Sequence, residues 1–101
     1  MEIYDEDKHN LGQLIQQGVP MVIQFSAKWC GPCKKIRPEV EELAREKSDV
    51  RFFYVDVDEY EDISGRDGYN ISKLPTFLIF KNGDELVRLE GSYIDALRKS
   101  I

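Results

Sequence analysis

Apolar and polar residues alternate along this chain in two rhythms, and each change of rhythm marks an element. Ile3 and Tyr4 start a short edge strand. Leu11, Leu14 and Ile15 have helical spacing; Asp5 to Asp7 and Asn10 offer capping side chains, and Gly18 with Pro20 stops the helix at about Gln17. Met21 to Phe25 is a near-continuous apolar run interrupted by Gln24, the pattern of a strand buried on both faces. A long helical pattern follows, with Ile36, Val40, Leu43 and Ala44 on one face and Glu39, Glu41, Glu42, Arg45 and Glu46 mostly on the other. Pro38 lacks the amide hydrogen this helix uses, which predicts a kink. Phe52 to Val57 reads as a strand, Tyr60 to Ser64 as a weak helix eroded by Gly65 and Gly68, and Phe77 to Phe80 as a third strong strand. Lys81-Asn82-Gly83-Asp84 is a hairpin turn, because Asn and Gly accept positive φ at low cost. Glu85 to Leu89 returns antiparallel, Gly91 breaks the strand, and Tyr93 to Ile101 closes with a short amphipathic helix carrying Leu97.

Alternating strands and helices in the first half imply parallel crossovers, and the hairpin in the second half implies an antiparallel edge. Helices must then cover both faces of one mixed α/β sheet. A length of 101 residues fits a single domain, 1-101, with no linker or repeat inside it. The 14 basic and 19 acidic residues leave a net charge of −5, which argues against a nucleic-acid partner. No apolar run approaches the roughly 18 residues of a membrane span, and Met1 to His9 shows no signal-peptide pattern. The expectation is a monomeric cytoplasmic domain with no membrane partner.

The chemistry concentrates at Trp29-Cys30-Gly31-Pro32-Cys33, between a buried strand and the long helix. A helix N-terminus presents free amides and positive partial charge, which stabilise a thiolate, the reactive form of cysteine. Cys30 lies just before the helix, where it is expected to be exposed and activated. Cys33 lies one turn in, with its side chain tucked beneath, and Pro32 suits the first turn because its missing amide hydrogen costs nothing there. Lys34, Lys35 and Arg37 add positive charge, screened by solvent. Three plainer readings compete. Zinc needs four ligands, and the chain offers two cysteines and the lone His9, itself expected at the surface or in a cap. A structural disulfide across so short a loop stabilises little. Two inert thiols at a helix start are the third.

The chain resembles the thioredoxin family over nearly its whole length. The resemblance rests on Phe25-Ser26-Ala27-Lys28-Trp29-Cys30-Gly31-Pro32-Cys33-Lys34, Val55-Asp56-Val57-Asp58, Leu74-Pro75-Thr76-Phe77 and Gly91 before the last helix. It implies a thioredoxin fold, a mixed central sheet of four to five strands flanked by about four helices. It implies a protein disulfide reductase in which Cys30 is the attacking nucleophile and Cys33 the resolving thiol. Pro75 takes the place of the family's cis-proline facing the cysteines. Trp29, Gly31, Pro32, Leu74, Pro75, Gly91 and Ser92 form the rim that receives an extended substrate segment by backbone hydrogen bonds near Leu74. The implied partners are disulfide-containing proteins and an NADPH-dependent thioredoxin reductase, and the redox-active Cys30–Cys33 pair needs no bound cofactor. A non-catalytic adaptor using the same rim is the alternative, against which the intact pair weighs. An oxidase or isomerase is disfavoured by Gly31-Pro32 and by the lack of an export signal.

The chain departs from the family's pattern at three places. Gln24 stands where the pattern has a buried aspartate thought to exchange a proton with the resolving cysteine. A glutamine cannot carry that proton, so resolution is expected to slow rather than stop. Between Asp58 and Pro75 the chain is two residues longer than the pattern, around Ser64-Gly65-Arg66-Asp67-Gly68, read as a tolerated surface insertion or a partner contact. Tyr54 replaces a charged residue, and packing near Gln24 would make the two changes a matched polar pair.

Overall fold

A computed structural model describes residues 1–101. The strands are β1 (Glu2–Ile3), β2 (Met21–Ser26), β3 (Arg51–Asp56), β4 (Thr76–Lys81) and β5 (Asp84–Glu90). The helices are α1 (Leu11–Gln16), α2 (Gly31–Glu46), α3 (Glu61–Ser64) and α4 (Ile94–Lys99). This is the element order the hydrophobic pattern predicts, in one sheet ordered β1-β3-β2-β4-β5. β3 runs parallel to β1 and β2, and β4 runs antiparallel to β2 and β5. The hairpin forms as expected: Asn82 at φ 55 and Gly83 at φ 89 make the two-residue connection between Lys81 and Asp84. Positive φ at both positions matches the twist of the flanking strands.

β2 is central and every one of its residues is buried. Successive side chains point to opposite faces. Met21, Ile23 and Phe25 therefore join Leu11, Phe53, Val55, Tyr60, Leu78 and Phe80 beneath α1 and α3. Val22 joins Ile36, Val40, Leu43, Phe52, Phe77, Ile79 and Leu97 beneath α2 and α4. Gln24 has the same parity as Val22, so it lies on the α2 face. α2 runs through Pro38 as one helix of 16 residues. No helix is long and apolar enough to cross a membrane.

Two features at the surface are tied to the core. His9, expected at the surface or in a cap, caps a turn and is also packed: its side chain is 15% exposed, and its ring meets Phe53 edge-on at 5.1 Å. Its Nδ1 accepts from the Asp5 amide at 3.1 Å, closing the turn that precedes α1. Asn10 caps α1 by accepting from the Gln13 amide at 2.9 Å, while Asp5 bonds within its own turn through the Asp7 amide. The segment around Ser64-Gly65-Arg66-Asp67-Gly68 lies at the surface, with Arg66, Asp67 and Gly68 exposed, and is fastened at its ends. The Gly68 and Asn70 amides both donate to Gly65 O, the Tyr69 amide donates to Ile63 O at 2.7 Å, and the Tyr69 ring packs on Phe25 and Phe80. Gly68 is required there, because a Cβ would lie 2.1 Å from Ile63 O.

Candidate active site

β2 delivers the chain to the site and α2 carries it away. Cys30 is the N-cap of α2, with extended backbone (φ −82, ψ 106), and Pro32 occupies the first turn. The Cys33 amide donates to Cys30 Sγ at 3.2 Å. An amide of the first turn, otherwise unsatisfied, is thus aimed at this sulfur, and it favours the thiolate over the thiol when the pair is reduced. The two cysteines are joined as a disulfide, with Cα atoms 5.3 Å apart. Structural zinc at these two thiols lacks a ligand set, since no three His, Cys, Asp or Glu side chains converge anywhere in the structure.

The expectation that Cys30 is exposed is corrected. Cys30 is 5% exposed and Cys33 1%. Ala27 sits with the pair, and Val57 and Leu74 pack against it, so the bonded sulfurs lie in a small apolar pocket. The Leu74–Pro75 peptide bond is cis and Pro75 is buried, which sets Leu74 beside the cysteines at the head of β4. The Leu74 amide and carbonyl take part in none of the backbone hydrogen bonds of the loops and turns, and no side chain bonds them. Register pairs Thr76 with Glu90, so Gly91 (φ 143) leaves β5 alongside Pro75, and Ser92 shares a groove with Pro32, Lys35, Ile36 and Glu39. Trp29 stands on the rim at 71% exposure. Its Nε1 donates to Asp58 Oδ2 at 2.8 Å, and the Asp58 amide donates in turn to Asp56 Oδ1. The structure thus brings together the predicted rim residues and adds Asp58. In the sequence Asp58 is visible only as part of a shared motif, with nothing to link it to a tryptophan 29 residues earlier.

Gln24 is fully buried. Its Nε2 donates to Ser26 Oγ at 2.9 Å, while its Oε1 has no partner. Tyr54 is its register neighbour on β3, which sets the two side chains next to each other, although neither polar atom of Gln24 hydrogen-bonds to Tyr54. Residues i and i+2 share a face of a strand, so Ser26 is the nearer partner. The Tyr54 ring is instead covered by the Arg37 guanidinium, 4.6 Å from its centroid. Burial pushes the Tyr54 phenol up, and the positive charge of Arg37 opposes that rise.

Comparisons agree with this arrangement. The family model described as Thioredoxin matches residues 2–101. The chain is 44% identical over 91 residues to Thioredoxin-1 of Caenorhabditis elegans, covering 88% of this chain and 77% of that protein. Its fold is similar to the X-ray structure of Fasciola hepatica thioredoxin, with a TM-score of 0.86, 38% identity, and coverage of 100% of this chain and 96% of that one. The oxidised form of mitochondrial thioredoxin 3 from Saccharomyces cerevisiae superposes with the same TM-score at 34% identity, covering 100% of this chain and 92% of that one. With its Cys30–Cys33 disulfide at the start of α2, the chain belongs to the thioredoxin family and is a thiol–disulfide oxidoreductase.

Proposed function

We propose that the chain works as a reductase of protein disulfides, with Cys30 as the attacking sulfur and Leu74 as the backbone anchor for the substrate. The observation that carries this reading is the unpaired Leu74 amide and carbonyl beside the cysteine pair. An extended substrate strand satisfies both groups at once, which brings its disulfide to the sulfurs without requiring particular side chains. Trp29, Gly31, Pro32, Pro75, Gly91 and Ser92 border that strand.

The Cys30 thiolate, favoured by the Cys33 amide, attacks one sulfur of the target disulfide. A Cys30–target disulfide forms, and the first target sulfur leaves as a thiolate that takes a proton. Cys33 then loses its proton and attacks Cys30 Sγ. The Cys30–Cys33 bond closes, the second target thiolate leaves, and two electrons have passed from the dithiol to the target. Return to the dithiol requires two electrons from outside, which in this reading come from an NADPH-dependent thioredoxin reductase. Such a cycle suits a reducing compartment such as the cytoplasm.

The test is a trap and a turnover. Cys33→Ser should hold targets on Cys30 as mixed disulfides that mass spectrometry identifies. The wild-type protein, supplied with a thioredoxin reductase and NADPH, should reduce insulin repeatedly. Absence of both trapping and turnover, with partner binding retained, would support an adaptor in place of the reductase.

A further inference from the structure

The segment from Tyr69 to Leu74 joins the lengthened loop to the site, and it is fastened to the edge strand β5 at defined points. Arg88 Nη2 donates to Tyr69 O at 2.8 Å, and Arg88 Nη1 donates to Asn70 O at 3.1 Å. The guanidinium is held from the other side by the Glu85 carboxylate, at 3.2 Å and 3.4 Å. Ser72 Oγ donates to Glu90 Oε2 at 3.3 Å, and Thr76 Oγ1 donates to Lys73 O at 2.6 Å. Asn70 sits at φ 55, a left-handed conformation that side chains seldom adopt and that is fixed here from both sides: its amide by Gly65 O, its carbonyl by Arg88. Four residues beyond Asn70 lies Leu74, whose own backbone groups are unpaired.

We propose that Arg88 is a positioning residue for substrate binding. By gripping the successive carbonyls of Tyr69 and Asn70, it holds the run to Leu74 in the conformation that a substrate strand meets. This rests on the reading of Leu74 as the substrate anchor. A planar guanidinium suits the task because it donates to two acceptors in a fixed fork while a carboxylate fixes its orientation. Arg88 touches neither cysteine, and its place on β5 is opposite Leu78, so the dithiol itself is untouched by its loss. The loop is longer than the family's pattern and closes on itself through Gly65 and Gly68. Without the clamp, the four residues from Ile71 to Leu74 keep only the Ile71 amide bond to Ser64 O, the exposed Ser72–Glu90 bond and the Thr76 bond to Lys73 O.

The experiment compares wild type, Arg88→Ala and Arg88→Lys on two substrates: insulin, which presents an extended chain, and hydroxyethyl disulfide, which does not. Arg88→Ala should raise KM for insulin about five- to tenfold, the effect of losing part of two charge-assisted hydrogen bonds, with kcat unchanged. The rate with hydroxyethyl disulfide should stay at the wild-type value. Arg88→Lys, which keeps one charged donor, should fall between. Hydrogen exchange provides a readout independent of turnover: the Asn70 and Ile71 amides, bonded to Gly65 O and Ser64 O, should exchange faster in Arg88→Ala, while those of β2 do not. An unchanged insulin KM, or equal losses on both substrates, overturns the proposal, as does unchanged exchange at Asn70 and Ile71. If the wild-type protein itself fails on insulin while it reduces hydroxyethyl disulfide, the Leu74 reading has failed and the clamp's role falls with it.

Discussion

Gln24→Asp puts an ionisable group where this chain has a neutral amide, and the consequences can be worked from its surroundings. Gln24 is fully buried on β2, between Tyr54 of β3 and Phe77 of β4 in register, and its only side-chain hydrogen bond goes to Ser26 Oγ. Aspartate is one methylene shorter. Loss of that methylene from a closed site costs about 1 kcal/mol. The lost amide donor is offset in part, because the Ser26 hydroxyl can turn and donate to the carboxyl group. The uncharged acid should therefore cost about 1 kcal/mol at pH 4. Ionisation costs more, because burial raises a carboxyl pKa; a rise of about two units, within the range open to a buried acid, adds about 2.7 kcal/mol. Near pH 7 the total loss is then about 4 kcal/mol.

The sign of the pH dependence follows from that raised value. Between the unfolded pKa of about 3.9 and the folded one, the folded protein keeps a proton that the unfolded chain has lost. Stability of the variant relative to wild type should fall as pH rises, by at most about 1.4 kcal/mol per unit, and then level off. The same ionisation creates a base on the α2 face of the sheet, the face that carries Cys33. Decay of a Cys30 mixed disulfide should accelerate in step, by about tenfold or more, with the same apparent pKa as the stability curve. Urea denaturation from pH 4 to 9, paired with stopped-flow decay of the mixed disulfide, measures both. A flat stability difference refutes the argument from burial. A sloping one with no change in decay rate refutes the placement of residue 24 on the proton path.

Three further outcomes follow from single positions. Gly68→Ala should lose about 2–4 kcal/mol in urea denaturation, since its Cβ would strike the Ile63 carbonyl, whereas Gly31→Ala, with no neighbouring atom within 4 Å, should stay within about 0.5 kcal/mol of wild type. Burial holds the Tyr69 phenol above its ordinary value, so its share of stability is intact below the unfolded pKa and is lost as pH rises through the folded one; Tyr69→Phe should flatten the fall in urea midpoint above about pH 10. His9→Ala should cost about 1–2 kcal/mol, because the Asp5 amide loses its acceptor and Phe53 loses its edge-on ring, and a denaturation midpoint unchanged from wild type would contradict the anchoring role.

What the sequence shows and what it hides divide along the distance between interacting residues. β2 is legible because a strand buried on both faces is a near-continuous apolar run, broken here only by Gln24, and the hairpin is legible because Asn82-Gly83 supplies positive φ within two residues. The cysteine site is legible for the same reason: Cys30, Pro32 and Cys33 form one helix turn, and the amide that serves Cys30 Sγ comes from three residues on. The packing of His9 is hidden because the ring that it meets, Phe53, is on β3, far along the chain. Leu86 is unremarked in the alternating pattern of β5, yet the register shifts beside it and leaves it 54% exposed.

The loop from Gly65 to Gly68 is the sharper case, because its composition tells of its exposure and not of its attachments. Gly65, Arg66, Asp67 and Gly68 have the polarity and glycine content of a free surface turn. Gly68 instead permits a backbone approach that no side chain allows, Tyr69 is carried onto Phe25 and Phe80, and Arg88 reaches the loop across 18 and 19 residues. A glycine chosen for freedom and a glycine chosen for crowding look alike in one sequence, and only the partner decides between them. The two halves of the site therefore have different supports. The dithiol is set by the local geometry of one helix start, and its chemistry should survive changes elsewhere. The Leu74 segment is set by contacts from β5, so substitutions there should alter which targets bind while leaving intact the sulfur chemistry that acts on them.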